Sequence, residues 1–167
     1  MNFIELFSYY APTFNEALIL TLQLTIVSLI CASILGIIFG MFSIAHNKVL
    51  NVISSIYVDI IRGTPLIVQV FIMYYGVGGT ILRPVFGISW NDLGGVFTAG
   101  CIALSLKAGA YMAEIGRGGI EAVDKGQMEA ARSLGLTYGK AMRKVILPQA
   151  IRTMLPSIIN QFIISLK

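Results

Sequence analysis

The run from Ala17 to Ala45 contains no charged residue. A helix of about 20 apolar residues is enough to cross the hydrocarbon of a bilayer, and this run is longer. It predicts a first transmembrane helix over about 15–44. Thr13-Phe14-Asn15-Glu16 has the pattern of a capping box and predicts where that helix begins. His46 and Lys48 close it. The preceding Phe3, Ile4, Phe7 and Tyr10 predict a short amphipathic piece lying at the interface. Composition agrees: 12% of residues are charged, against about 25% in soluble domains. The chain is therefore expected to be an all-α integral membrane protein. Met1–Thr13 includes Glu5 and lacks Lys and Arg, so it has no basic region of a cleavable signal. Cys31 and Cys101 both lie among apolar neighbours and are expected to be small buried residues.

Three further spans are predicted. The second, about 51–77, is apolar except for Asp59 and Arg62 and contains Pro65. It ends in Tyr74-Tyr75, an aromatic pair suited to headgroup depth. A glycine-rich loop over 76–92 follows. The third span, about 93–115, contains Lys107 and Glu114, and the fourth covers about 148–167. Seven of the twelve Lys and Arg residues fall between Arg117 and Arg152, whereas the loop at 76–92 has only Arg83. The positive-inside rule puts the segment 116–147 in the cytoplasm and the amino terminus outside.

That basic segment has its own structure. Lys125–Leu134 holds good helix formers, and Gly135 suits the left-handed position that ends a helix. Thr137 can cap a second short helix with Tyr138, Met142 and Val145 on one face, ending at Pro148. Ala130 and Ala131 are small enough to let a partner approach closely. The same residues also suit an interfacial amphipathic helix whose lysines face lipid phosphates.

Glu129-Ala130-Ala131, Gly135, Val145 and Leu147-Pro148, in this spacing, resemble the EAA motif of ABC-importer permeases. That family prefers Ile where Val145 stands. Tyr57–Pro65, Ser105–Ile115 and Asn160–Lys167 resemble three more segments of its polar amino acid branch. The resemblance implies a type I permease fold of five helices, of which this chain supplies four, with the fifth expected to be missing at the carboxyl end. It implies that Glu129, Ala130, Ala131, Gly135, Val145, Leu147 and Pro148 form a coupling helix that docks on a separate ATP-binding subunit. It also implies a second permease copy, an extracytoplasmic amino-acid-binding protein and a bacterial inner membrane. ATP and magnesium would sit on the partner, with no cofactor on this chain. The implied function is ATP-driven import of polar amino acids (glutamine-like, arginine, histidine or glutamate) by alternating access.

The residues themselves leave roles open. Gly135 to Ala141 superficially resembles a phosphate loop, but it has three residues between its glycines where four are needed, and Ala141 where Ser or Thr must bind magnesium. Ionisable residues within spans mark pathways by default. Asp59 and Arg62 are one turn apart and can neutralise each other within the helix. Lys107, Tyr111 and Glu114 share one face of the third span. Lys107 and Glu114 have the signs to meet a substrate carboxylate and ammonium, although two turns separate them by about 10 Å. Alternatively, Glu114 pairs with Arg117. Thr64 and Gln69 are weaker pathway candidates. The net charge of +4 lies mostly on the cytoplasmic segment, where it fits topology and lipid contact instead of nucleic acid. The competing classes are a secondary transporter, which usually carries internal repeats, and a structural membrane protein with an interfacial basic loop.

Overall fold

The computed structural model describes residues 2–166, without the side chains of Phe3 and Ile4; Lys167, the end of the expected fourth span, lies outside them. Helix α1 runs from Phe3 to Ser43 without a break. It does not begin at Thr13. The backbone N–H of Asn2 donates to the Glu5 carboxylate at 3.1 Å, and the helix continues through Pro12. The expected interfacial piece is therefore the first turns of the same helix. One lost backbone hydrogen bond at Pro12 does not outweigh continuity with so long a helix. Phe7, Tyr9, Tyr10 and Phe14 are exposed along it, as is Cys31, contrary to the buried position expected for that residue.

Helix α2 spans Lys48–Gly63, its first turn capped by the Asn47 side chain, which accepts from the Val49 N–H at 2.9 Å. The predicted second span is not one helix. Pro65 pushes Thr64 into extended backbone (φ −108°, ψ 141°), and the chain restarts as α3, Leu66–Phe71. Wide π turns continue it over Ile72–Leu82, and α4, Arg83–Phe86, completes it. Thus the apolar membrane-length segment is Leu66–Phe86, and much of the predicted loop over 76–92 is helical. Gly87 ends it in the left-handed region at φ 68°. A 3₁₀ turn, Trp90–Leu93, follows. It is held by Asp92, which accepts from the Ser89 N–H at 2.7 Å and hydroxyl at 2.8 Å. These two donors hold the Asp92 carboxyl below its ordinary value. The Trp90 indole donates to the Tyr74 carbonyl at 2.9 Å and rests on Gly78, where a Cβ would collide with it.

Helix α5, Gly95–Glu121, is the hub, packing against α1, α2, α3 and a last helix, α8, Leu147–Ser165. It extends six residues past the expected end of the third span. The α1–α5 seam is built from small residues: Ala32, Ala103, Ala108, Ala110 and Ala113 are all buried. A Cβ on Gly36 would stand 2.5 Å from that of Met112, so the glycine permits the close approach. Hydroxyls of α2 satisfy backbone carbonyls of α1 and α5. Ser54 donates to Phe39 O at 2.7 Å and Tyr57 to Leu106 O at 2.7 Å.

Beyond α5, Asp124 caps helix α6, Lys125–Ser133, by accepting from the Gly126 N–H at 2.6 Å. Helix α7, Tyr138–Ala141, runs through π turns at Met142–Ile146 directly into α8. Pro148 therefore does not end a helix. It sits in the first turn of α8, where the π turn has already shifted the hydrogen-bond register and its missing N–H is harmless. Among the described residues, three helices are long and apolar enough to cross a membrane: Glu5–Ser43, Leu66–Phe86 and Gly95–Glu121. Helix α8, at 19 residues, is not among them; it carries Gln149, Arg152, Asn160 and Gln161.

Candidate functional site

Lys107 and Tyr111, one turn apart on α5, line a cavity of about 320 Å³ with Leu66 of α3 and with Gln161 and Ser165 of α8. Gln161 is buried and donates to the Ser165 hydroxyl at 3.4 Å. An amide in an apolar helix four residues before a serine is the sequence signal for it, and the sequence reading above does not single it out. The cavity offers one ammonium, one phenol, one amide and one hydroxyl among apolar walls. Such a set can bind a small polar molecule bearing a carboxylate.

Glu114 does not join Lys107 and Tyr111 there. It lines a second, polar cavity of about 360 Å³ with Asn51, Ser54, Asp59, Arg117 and Glu121. Arg117 binds Glu114 through both of its carboxylate oxygens, at 2.5 and 3.1 Å. It also binds Glu121 at 2.7 Å. The alternative pairing of Glu114 with Arg117 is the one observed. The fork geometry of Arg one turn away explains why the carboxylate turns from Lys107.

The expected pair of Asp59 and Arg62 does not form. Arg62 turns to α5 instead, reaching Glu114 at 3.6 Å and lying 5.2 Å from the centroid of the Tyr111 ring. A carboxylate and an aromatic face together outcompete the neighbouring aspartate. Thr64 and Gln69 face the backbone at the α2–α3 break. The Gln69 amide donates to Ile61 O at 2.6 Å, to the Thr64 hydroxyl at 2.7 Å and to Thr64 O at 3.2 Å. Its own carbonyl oxygen is buried without a partner.

The Glu129 segment is rigidly closed. The Gly135 N–H donates to Arg132 O at 3.0 Å and the Leu136 N–H to Ala131 O at 3.2 Å, with Gly135 at φ 82°. This is the Schellman arrangement that a C-terminal glycine permits. Thr137 stands at the cap of α7, but its hydroxyl makes no cap hydrogen bond. Glu129, Ala130 and Pro148 are exposed, Val145 and Leu147 half-buried. Ala131 is buried within the chain, so it is not open to a partner as expected. Leu134, absent from the expected set, is 84% exposed, more than any other large apolar side chain described. His46, in the turn before α2, meets the Tyr138 ring edge-on at 5.1 Å and ties the segment to the α1–α2 turn.

Comparison with known proteins places this arrangement. Residues 32–167 match the model of the family described as "Binding-protein-dependent transport system inner membrane component". The chain is 40% identical over 152 residues to the arginine transport system permease protein ArtQ of Bacillus subtilis, covering 91% of this chain and 65% of that protein. It is 39% identical over 156 residues to the L-cystine transport system permease protein TcyB of the same organism, covering 93% of this chain and 62% of that one. The chain thus spans somewhat less than two thirds of the length of these relatives. A solved structure, "Crystal structure of an amino acid ABC transporter with histidines", superposes with a TM-score of 0.86 at 41% identity, covering 99% of this chain and 72% of that one. The fold is accordingly that of the membrane subunit of an amino acid ABC transporter, and the chain belongs to the binding-protein-dependent transport system inner membrane component family.

Proposed function

We propose that this chain is the membrane-spanning permease subunit of an ATP-driven importer of polar amino acids, working by alternating access. One observation carries the reading. The exposed Glu129–Leu134 surface leads through a capped glycine turn into a helix that runs unbroken from Tyr138 to Ser165. The far end of that helix supplies Gln161 and Ser165 to the polar cavity. A displacement applied at one end is delivered to the binding cavity at the other, because a packed helix moves as a body.

In this reading a separate ATP-binding subunit docks on Glu129, Ala130 and Leu134, and it holds the ATP and magnesium. A second permease copy completes the pathway, and an extracytoplasmic binding protein delivers substrate. The chain crosses the membrane several times with its amino terminus outside, which the basic residues of 117–152 support. Lys107 meets the substrate carboxylate, with Tyr111 and Gln161 beside it. The relatives named for arginine and cystine transport support an amino acid as cargo.

The test uses full-length permease with its ATPase and binding protein in liposomes, and labelled arginine, glutamine, histidine, glutamate and cystine. Uptake of at least one of them, dependent on ATP inside the ATPase compartment, is expected. Uptake of equal size without ATP would favour a secondary carrier.

A further inference from the structure

One side chain contacts a lining residue of each cavity described above. Tyr111 lines the cavity of Lys107 and Gln161, Glu114 lines the polar cavity of Asp59 and Glu121, and Arg62 lies against both Tyr111 and Glu114. The geometry points to Arg62 as a latch: its contact with Tyr111 and Glu114 holds α2 to α5, separates the two cavities, and opens during the transport cycle. This rests on the importer reading.

Three observations carry it. The first is position. Arg62 stands in the last turn of α2, directly before the break at Thr64-Pro65. A break between helices is where a hinge can absorb a backbone rotation, and a residue beside it moves most when it does. Gln69 staples the break: its amide reaches both Ile61 and Thr64 while its carbonyl oxygen is left buried and unpaired.

The second is the difference between the two arginines that share Glu114. Arg117 holds that carboxylate at 2.5 and 3.1 Å, from the same helix. Arg62 reaches it from another element at 3.6 Å, longer than a charge-assisted hydrogen bond, with its side chain 39% exposed. Such a pair is weakly held. When α2 and α5 separate, the Arg62 contact opens first, and Arg117 keeps Glu114 compensated. The carboxylate is thus never left as an isolated charge, which makes the opening reversible.

The third is what opening would expose. With Arg62 withdrawn, the face of Tyr111, which lines the Lys107 cavity, and one side of Glu114, which lines the cavity bounded by Asp59 and Glu121, lose the side chain that covers both. That second cavity reaches Ser43 and Asn51 at the α1–α2 turn, the side the basic segment assigns to the cytoplasm. Arg62 therefore stands where an inner barrier is needed.

The experiment compares wild type, Arg62→Ala, Glu114→Ala and the double variant as full-length permease with ATPase and binding protein in liposomes. ATP hydrolysis is measured with and without loaded binding protein, alongside uptake of the amino acid that wild type carries. Releasing the latch lowers the barrier to switching. Arg62→Ala should raise hydrolysis without loaded binding protein by about threefold or more, and lower uptake per ATP by about fivefold or more. Glu114→Ala should act in the same direction, and removing Arg62 in the Glu114→Ala background should add less than it does in wild type, because only its contact with Tyr111 is then left to lose. Glu114→Gln keeps the shape and carries the same expectation if an alanine variant fails to assemble. Wild-type coupling in Arg62→Ala or Glu114→Gln, or an equal Arg62→Ala effect in both backgrounds, overturns the latch and leaves the importer reading standing. A wild-type complex that carries no amino acid on ATP removes both.

Discussion

Lys107 is the only charged residue between Gly95 and Ala113, on a helix whose neighbouring turns are built from alanine and glycine. A cation placed there is costly to insert, by roughly 2.5–3.5 kcal/mol on insertion scales, and is retained where it has an ion or a substrate to meet. Within the cavity described here its natural counterpart is a carboxylate. A charge-assisted hydrogen bond of about 1.5–3 kcal/mol corresponds to roughly 10–100-fold in affinity. Lys107→Ala is therefore expected to raise the KM for ATP-dependent uptake by about that factor, with the permease still inserted and still bound to its ATPase. An unchanged KM would remove Lys107 from the substrate path. At this scale the sequence was readable where a residue acts alone and silent where its partner is distant. Lys107 and Tyr111 were legible from helical spacing. Arg62 was legible as a charge within a span but its partner was not, because Glu114 lies on another element, and only packing brings it closer than Asp59 on the same helix. Gln161 was missed because an amide among isoleucines reads as packing until a neighbouring helix presents Lys107 to it.

Elements were legible where local chemistry decides and obscure where continuity decides. Gly135 is the clear case. A glycine after a run of helix formers, followed by a second amphipathic run, predicts a left-handed cap, and the observed φ of 82° and paired backbone hydrogen bonds are that cap. Nothing crowds the position of a Cβ there, so any substitution acts through the backbone alone. A left-handed L-residue costs about 1–2 kcal/mol. Gly135→Val should weaken ATPase binding to the permease by roughly 5–30-fold, as titration of the purified subunits would measure. Gly135→Asn, which tolerates this region, should lose less. Equal binding by all three would show that the turn geometry plays no part in docking. Thr13 and Pro148 show the opposite case. Each carries a boundary signal, a capping box and a helix-stopping proline, and each is overridden by helix on both sides. The π turns at Met142–Ile146 and Ile72–Leu82 have no signature in propensity at all.

The whole molecule is organised around α5, with α1 and α8 packed on it through small residues and α2 and α3 folded against its remaining face. The membrane class was legible because one charge-free run forces it. Which apolar helices reach membrane length was less so, since the break at Pro65 divides the stretch 51–77 and leaves Leu66–Phe86 as the apolar helical segment of that length. In the proposed function, one continuous helix joins the surface on which the ATPase would dock to the cavity that would bind substrate. That connection is the central claim, and Leu134 is its outermost point. The most direct test is ATP-dependent uptake by the reconstituted full-length complex, wild type beside Leu134→Asp. Leu134 touches neither cavity, so a loss there must act through docking. The account predicts ATP-dependent uptake by wild type and a loss of about tenfold or more in the variant, at equal membrane content, since a charge in an apolar docking contact costs well over 1.4 kcal/mol. Uptake that needs no ATP, or that survives Leu134→Asp undiminished, would contradict it.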